Sequence, residues 1–378
     1  MQRIVIALSC LLASLAGAGC DTLFLTRPPI DLDEDDDPLG ECTGATVAAG
    51  EPITMGAART RHAAALLADG RVLIAGGHDN SYLAIASAEL FDPASATFAA
   101  TASMATPRQD FTLVALDDGR ALAIGGFQNE GGSVRGTEIW DNGAWSAGPD
   151  LPEPRTGAAA FVADDGRVVI FGGQNNAESY PQRVLIFDPR DDSLSSTSSD
   201  VVPPRGSSTA HALADGRALM IGGYYTSALD AVDVIFADGR ARQGPAIPGA
   251  RRSACAANDD VGDALVFGGY AGGALSDVQR FDAAADQWRA AAPLPTARYG
   301  CEAVTLSCAA LVCGGVDTTT CDALDFATGA FDADVADIGT EFDFTMTALG
   351  DDRVLVAGGV RGDELENVQR SARVLVLR

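Results

Sequence analysis

Apolar and polar positions along this chain fall in short blocks, and the blocks recur. In "RHAAALLADGRVLIAGG" (61–77) two apolar runs flank Asp69-Gly70, a dipeptide that supplies the positive backbone angles of a tight hairpin turn. Neither run alternates strictly, which predicts strands covered on both faces. A polar loop follows, and "AELFDPASATF" (88–98) then reads as a third strand, a turn at Asp92-Pro93 and a fourth strand starting near Phe98. Four antiparallel strands thus make one unit.

The unit repeats. Near copies of "ADGRVLIAGGHD" begin at Asp117, Asp164 and Ala214, and glycine pairs stand at 76–77, 125–126, 172–173, 222–223, 268–269, 314–315 and 358–359. Their spacings of 49, 47, 50, 46, 46 and 44 residues mark a repeat architecture of four-stranded units, the blade of a β-propeller. The last unit stops after "SARVLVLR", which matches a third strand. Its missing partner is found at the other end, where "ATVAAGEPITMGAAR" (45–59) aligns with the fourth-strand pieces "TFAATASMATPR" and "QWRAAAPLPTAR". The expected fold is therefore all-β: a seven-bladed propeller of four-stranded antiparallel blades, its ring closed by the N-terminal strand so that no sheet edge is left open.

The glycine pairs, the aromatic-Asp step in the third strand (Phe91-Asp92, Trp140-Asp141, Phe187-Asp188, Phe281-Asp282) and the aromatic soon after it (Phe98, Trp145, Trp288, Phe331) resemble kelch repeats. The resemblance covers about residues 43 to 378. It implies a scaffold whose variable loops carry binding specificity, and kelch-like propellers include galactose oxidase and a sialic acid mutarotase. The glycines end strands in an all-β unit and do not open a helix, which argues against a phosphate-binding loop.

Composition adds an address. A formal charge of −26 argues against nucleic acid, and every basic residue is arginine, which biased codon usage explains. Arg3, the apolar run 4–15 and small residues after it read as an export signal, and "LAGAGC" resembles a bacterial lipoprotein cleavage site with Cys20 as the lipid-bearing residue. Gly17 departs from the aliphatic residue that such signals prefer there, so ordinary signal cleavage stays open. Residues 21–42, with two adjacent prolines and a dense acidic run, read as a tether between membrane and domain. Asp31, Asp33 and Asp35 have the spacing of a calcium loop, but Asp36 and Cys42 stand where that loop needs glycine and glutamate. Beyond the signal, the remaining six cysteines suit an oxidising compartment; of fifteen pairings, Cys313 with Cys321 and Cys255 with Cys301 fit the repeat positions best, leaving Cys42 with Cys308.

Candidate site residues come from two columns of the repeat. Counting back from each glycine pair finds Arg59, Arg108, Arg155, Arg205, Arg251 and Arg298, with Glu341 in the seventh unit. Two readings compete: a guanidinium ring that captures carboxylates or phosphates at one mouth, or scaffold arginines fixed by backbone carbonyls and by carboxylates, the second being favoured. The loops after the glycine pairs do not repeat, and they offer His78, Tyr82, Gln128, Asn175, Tyr224, Tyr225 and Tyr270, amides and aromatic rings that suit a sugar or a peptide. The three histidines, His62, His78 and His211, hold unrelated positions in the repeat, so neither a metal nor another cofactor is expected. The expected protein is a monomeric, non-catalytic binding lipoprotein of a bacterial cell envelope, presenting its loop face to a protein or glycan. The alternative is a sugar-processing enzyme working in an arginine-lined axial funnel with His62 and Glu341. A polar axial cleft holding close acid-base partners would favour the enzyme, and a plugged mouth the binding surface.

Overall fold

The computed structural model describes residues 46–175, 180–197, 205–350, 352–362 and 367–378. The expected signal, tether, Cys20 and Cys42 lie outside them. Blade 1 is built from Ala63–Leu66, Val72–Ala75, Ala88–Asp92 and Thr97–Thr101, each antiparallel to the next. Blades 2 to 6 repeat this order from inner strands Thr112–Ala115, Thr156–Val162, Thr209–Ala212, Cys255–Asn258 and Glu302–Thr305. Blade 7 takes Phe342–Gly350, Arg353–Val360 and Ser371–Leu377 from the C-terminal end and closes with Val47–Ala49, in register Val47 to Leu377 and Ala49 to Leu375. The ring closes as the unfinished last repeat predicts.

Each second strand is covered on both faces; Val72, Leu73, Ile74 and Ala75 are all fully buried. That burial explains their unbroken apolar sequence. The core lies between blades, as where Leu73 and Ala75 of blade 1 meet Phe111, Leu113 and Trp140 of blade 2. The repeated aromatics are cross-strand partners: Phe91 faces Phe98, Trp140 faces Trp145 and Phe281 faces Trp288, the first and last pairs with ring centroids 5.0 Å apart.

The Asp-Gly-Arg turns carry their own closure. Gly70 has φ +83°, and the Asp69 carboxylate accepts the Arg71 backbone N–H at 3.0 Å and its guanidinium at 2.6 Å. Asp118–Arg120, Asp165–Arg167 and Asp215–Arg217 repeat the pair. Asp238–Arg240 uses it again between the third and fourth strands of blade 4. Such exposed pairs are worth under about 1 kcal/mol each and chiefly fix turn geometry.

The turns define one face of the disc and the glycine pairs the other. The chain enters the described fold on the turn face: Leu377 N–H donates to Asp352 O at 2.9 Å, and Thr46 and Arg378 exchange backbone hydrogen bonds beside it. Among the described residues, no helix is long and apolar enough to cross a membrane.

Candidate functional site

The arginine column and the glycine column explain each other. Arg59, Arg108, Arg155, Arg251 and Arg298 each donate from Nη1 to the carbonyl of the first glycine of their own blade's pair, Gly76, Gly125, Gly172, Gly268 and Gly314, at 2.8–3.1 Å. In the other direction, the arginine's backbone carbonyl accepts the N–H of the second glycine of the preceding blade. Arg108, Arg155, Arg251, Arg298 and Arg59 so receive Gly77, Gly126, Gly223, Gly269 and Gly359 at 2.7–3.0 Å, and Glu341 receives Gly315 at 2.5 Å. The chains approach so closely that a Cβ on Gly76, at φ +63°, would stand 2.5 Å from Arg108 O. Only glycine fits there.

Carboxylates in the third strand or, for Asp277, just before it complete the clamp. Glu89, Glu138, Asp233, Asp277 and Asp322 lie 2.5–2.7 Å from Arg59, Arg108, Arg205, Arg251 and Arg298. Glu89 also accepts the backbone N–H groups of Gly56 and Ala57, which ties the incoming linker to the blade. All six arginines are at most 1% exposed. No guanidinium of this column reaches solvent, which corrects the capture-ring reading: the groups are buried in the scaffold, held by carbonyls and acids, and form no open ring at the mouth. Glu341 stands in the arginine place through its backbone carbonyl, while its carboxylate accepts the Gly362 N–H at 2.9 Å.

Two residues further on, a column that the sequence reading passed over lines the axis. Arg61, Asp110, Gly157, Ser207, Ser253, Gly300 and Asp343, one per blade, all have φ between +50° and +65°. Their backbones pass hydrogen bonds around the ring: Arg61 N–H to Asp343 O, Asp110 to Arg61, Gly157 to Asp110, Ser253 to Ser207 and Gly300 to Ser253, at 2.8–3.1 Å. Aspartate, serine and glycine are the residues that tolerate this conformation, and that preference was the available signal.

At one side of the ring, Arg61 lies 3.5 Å from Asp110 and 3.1 Å from Asp343. Burial pushes the Asp110 carboxyl up to about 7; Arg61 pulls it down and Asp343 pushes it up again. Burial works against the Arg61 charge, yet the two aspartates hold its pKa above the ordinary value. His62 is buried with Nε2 3.0 Å from Thr345 Oγ1, and burial followed by the Arg59 charge keeps it neutral. His211 faces Asn258 at 3.0 Å, and burial pushes it down to about 4. The three histidines do not meet, and among the described residues no group of three or more histidine, cysteine, aspartate or glutamate side chains is placed to hold a metal ion. The open space between these axial side chains is about 60 Å³.

The mouth above the axis divides in two. Over blades 7, 1 and 2 the loops lock together: Asn80 Oδ1 accepts the Val368 N–H at 2.8 Å, and Asn129 bridges Tyr82 O and the Ala84 N–H at 2.7 Å. His78 is buried beneath Tyr82, ring centroids 5.9 Å apart, and Gln128 sits half-buried in a short hairpin, Phe127–Gln128 with Gly132–Ser133. Over blades 3 to 6 the side chains are aromatic. The Arg252 guanidinium lies 5.0 Å from the Tyr224 ring and 5.1 Å from the Tyr270 ring, and Tyr299 packs edge-on against Tyr270. Tyr225, 56% exposed, meets Tyr180. Asn175 is half-buried at the rim of blade 3. Arg61, Asp110, Asp343, Arg252, Tyr180 and Tyr299 are the residues that sequence reasoning missed here.

Both structural pairings expected among the described cysteines are present. Cys255–Cys301 links blades 5 and 6, with Cα atoms 5.5 Å apart, and Cys313–Cys321 joins neighbouring strands within blade 6. Cys308 is also disulfide-bonded, and its expected partner, Cys42, lies outside the described residues. Disulfides of this number point to an exported protein.

Residues 133–315 match the family model described as the KLHDC2/KLHL20/DRC7 Kelch-repeats domain. Among solved structures, the chain is similar to a novel fungal alcohol oxidase of the AA5 family in complex with copper, at 14% identity and TM-score 0.67, covering 88% of this chain and 76% of that one. It is also similar to YjhT, at 16% identity and TM-score 0.53, covering 69% of this chain and 92% of that one. At these identities the likeness establishes the fold alone. No curated protein matches the sequence.

Proposed function

We propose, from the premise that this chain is a kelch-repeat β-propeller, that it is a non-catalytic recognition protein of a bacterial cell envelope, binding a protein segment across the aromatic half of its mouth. The observation that carries this reading is the row Tyr224, Arg252, Tyr270 and Tyr299, with Tyr225 exposed beside it. Tyrosine and arginine dominate the anchoring positions of protein interfaces, because rigid rings bury area at low entropic cost and a stacked guanidinium keeps its in-plane donors. Among the described residues Arg252 makes no ion pair, unlike most arginines of the fold, and this leaves its charge available to a partner.

A lipid on Cys20 is supported by the sequence alone. With such an anchor, the entry at Thr46 would set the turn face toward the membrane and the mouth away from it. Residues 21–45, fully extended, reach roughly 80 Å.

The sugar-processing alternative draws on the close acid-base group Arg61, Asp110 and Asp343. An axial space of about 60 Å³ is small beside the roughly 300 Å³ at which ligand pockets begin, and this favours the binding surface.

Peptide and glycan arrays probed with the full chain test the reading. Binding to peptides should fall at least about tenfold in Tyr225→Ala and in Arg252→Ala, a loss expected of anchoring residues, and be unchanged in Val261→Ala on the turn face. Glycan-only binding would transfer the role to a carbohydrate ligand, and peptide binding indifferent to both mouth substitutions would overturn it.

A further inference from the structure

Among the described residues, the junction between blades 3 and 4 departs from the other six in its backbone bonding. At every other junction the second glycine donates to the next blade's arginine or Glu341 carbonyl; Gly173 makes no such bond to Arg205 among the described residues. The axial bond from Ser207 N–H to Gly157 O is missing there too among the described residues, as the one from Asp343 to Gly300 is between blades 6 and 7, so the junction of blades 3 and 4 is the one that lacks both. A cleft results, lined by Gly172, Gly173, Arg205, Ser207 and Met220, with about 30 Å³ of open space.

This cleft carries unused hydrogen-bond donors. Arg205 is 1% exposed, and among the described residues its Nη1 has no hydrogen-bond partner, nor has its Nε, a feature shared with Arg59, Arg155 and Arg298; Nη2 is used toward Met220 O at 2.9 Å, with Asp233 at 2.5 Å. On the other side, Arg155 holds Gly172 O at 3.1 Å and Arg183 O at 2.7 Å and has no carboxylate clamp. The register shows why. Glu89 pairs with Ile74 and Glu138 with Ala123, two residues before their glycine pairs, and in blade 3 that place opposite Ile170 is held by Leu185. Burial lowers the Arg155 pKa to about 10, and among the described residues half-buried Glu153 is the acid that offsets its charge.

We infer that the cleft between blades 3 and 4 is a binding site for a small univalent anion, held by the free N–H groups of Arg205 and attracted by the unbalanced charge of Arg155. A buried guanidinium with unpartnered donors beside a second uncompensated one is costly, and one negative charge relieves both. The size selects the ligand: space for a halide or the tip of one carboxylate, far below a sugar. The site is independent of what the mouth binds.

The test is thermal unfolding of the full chain at constant ionic strength, with sulfate replaced by chloride or by acetate. A ligand bound only by the folded state should raise Tm saturably, by roughly 3 °C or more, with chloride alone or with both as the cleft admits an ion or a carboxylate. Leu185→Glu, which restores the missing clamp, should raise Tm in sulfate and remove most of the response. Ser207→Asp, which copies the axial residue of blades 2 and 7 and carries its own charge to the cleft, should remove the response even if Leu185→Glu fails to fold. Crystals grown in bromide should show the anomalous peak beside Arg205. Equal Tm in all three salts, or equal responses in wild type and Ser207→Asp, would overturn the assignment.

Discussion

The junction between blades 5 and 6 and the junction between blades 3 and 4 are written in the same repeat, yet one adds three links to its apolar packing and the other, among the described residues, keeps the packing of Phe161 and Phe171 against Ala210 and Met220 with none of those links. Between blades 5 and 6, Gly269 N–H meets Arg298 O, Gly300 N–H meets Ser253 O, and Cys255–Cys301 adds a covalent link. Between blades 3 and 4 all three are missing among the described residues. The conserved-looking part of a repeat builds each blade; what couples one blade to the next is decided by a few backbone bonds and by local additions. At the axis, the junctions on either side of blade 1 gain a different addition, the Arg61 pairs with Asp110 and Asp343.

The sharpest way to break this contrast is to remove one arginine from each kind of blade. Arg298→Met strands Asp322, itself 1% exposed, and should cost about 3–5 kcal/mol in urea unfolding. Arg155→Met strands no carboxylate, and the loss of two carbonyl hydrogen bonds is offset by removal of a buried charge, so about 1–2 kcal/mol is expected. Equal losses would mean that the clamps contribute alike whether or not an acid completes them. An intermediate effect should follow from Cys255→Ala with Cys301→Ala: about 2–4 kcal/mol, with amide exchange at Gly300 rising toward that at Ser207. Unchanged exchange would show that the backbone bonds close that junction unaided.

The smallest effect concerns the charged side of the axis and is read against pH. Asp110, at about 7 in the fold, keeps a proton that the unfolded chain releases near 3.8. The stability it contributes is present below about 4 and is lost as pH rises through about 7. His211, pushed down to about 4, works the other way: its stability is present above the unfolded value of 6.5 and is lost as pH falls through about 4. In Asp110→Asn the histidine contributions remain, so the variant should gain on the wild type steadily between pH 4 and 7. A difference independent of pH would show that Asp110 stays ionised beside Arg61.

Much of the scaffold was legible because a repeat states each position several times. The period, the turns and the glycine pairs located every blade, and the unfinished seventh repeat located the closing strand. The disulfides Cys255–Cys301 and Cys313–Cys321 followed from repeat positions as well. The arginine column was visible, but its exposure was not, since a mouth-lining guanidinium and a buried one share the same spacing. Tyr224 and Tyr270 were visible in their loops; Arg252 between them was not, because it belongs to the inner-strand entry of blade 5 and only backbone pairing with Tyr270 brings it there.

By itself, then, the sequence determined a seven-bladed ring of antiparallel sheets, the end at which it closes and the face on which its loops gather, because strand periodicity and turn chemistry are local. Only the tertiary structure decided which polar groups are spent and which are free. Arg59 is consumed by Gly76 and Glu89, Arg252 is kept between two rings, and Arg205 retains unused donors at a seam, because hydrogen-bond satisfaction depends on neighbours some thirty residues and one blade away.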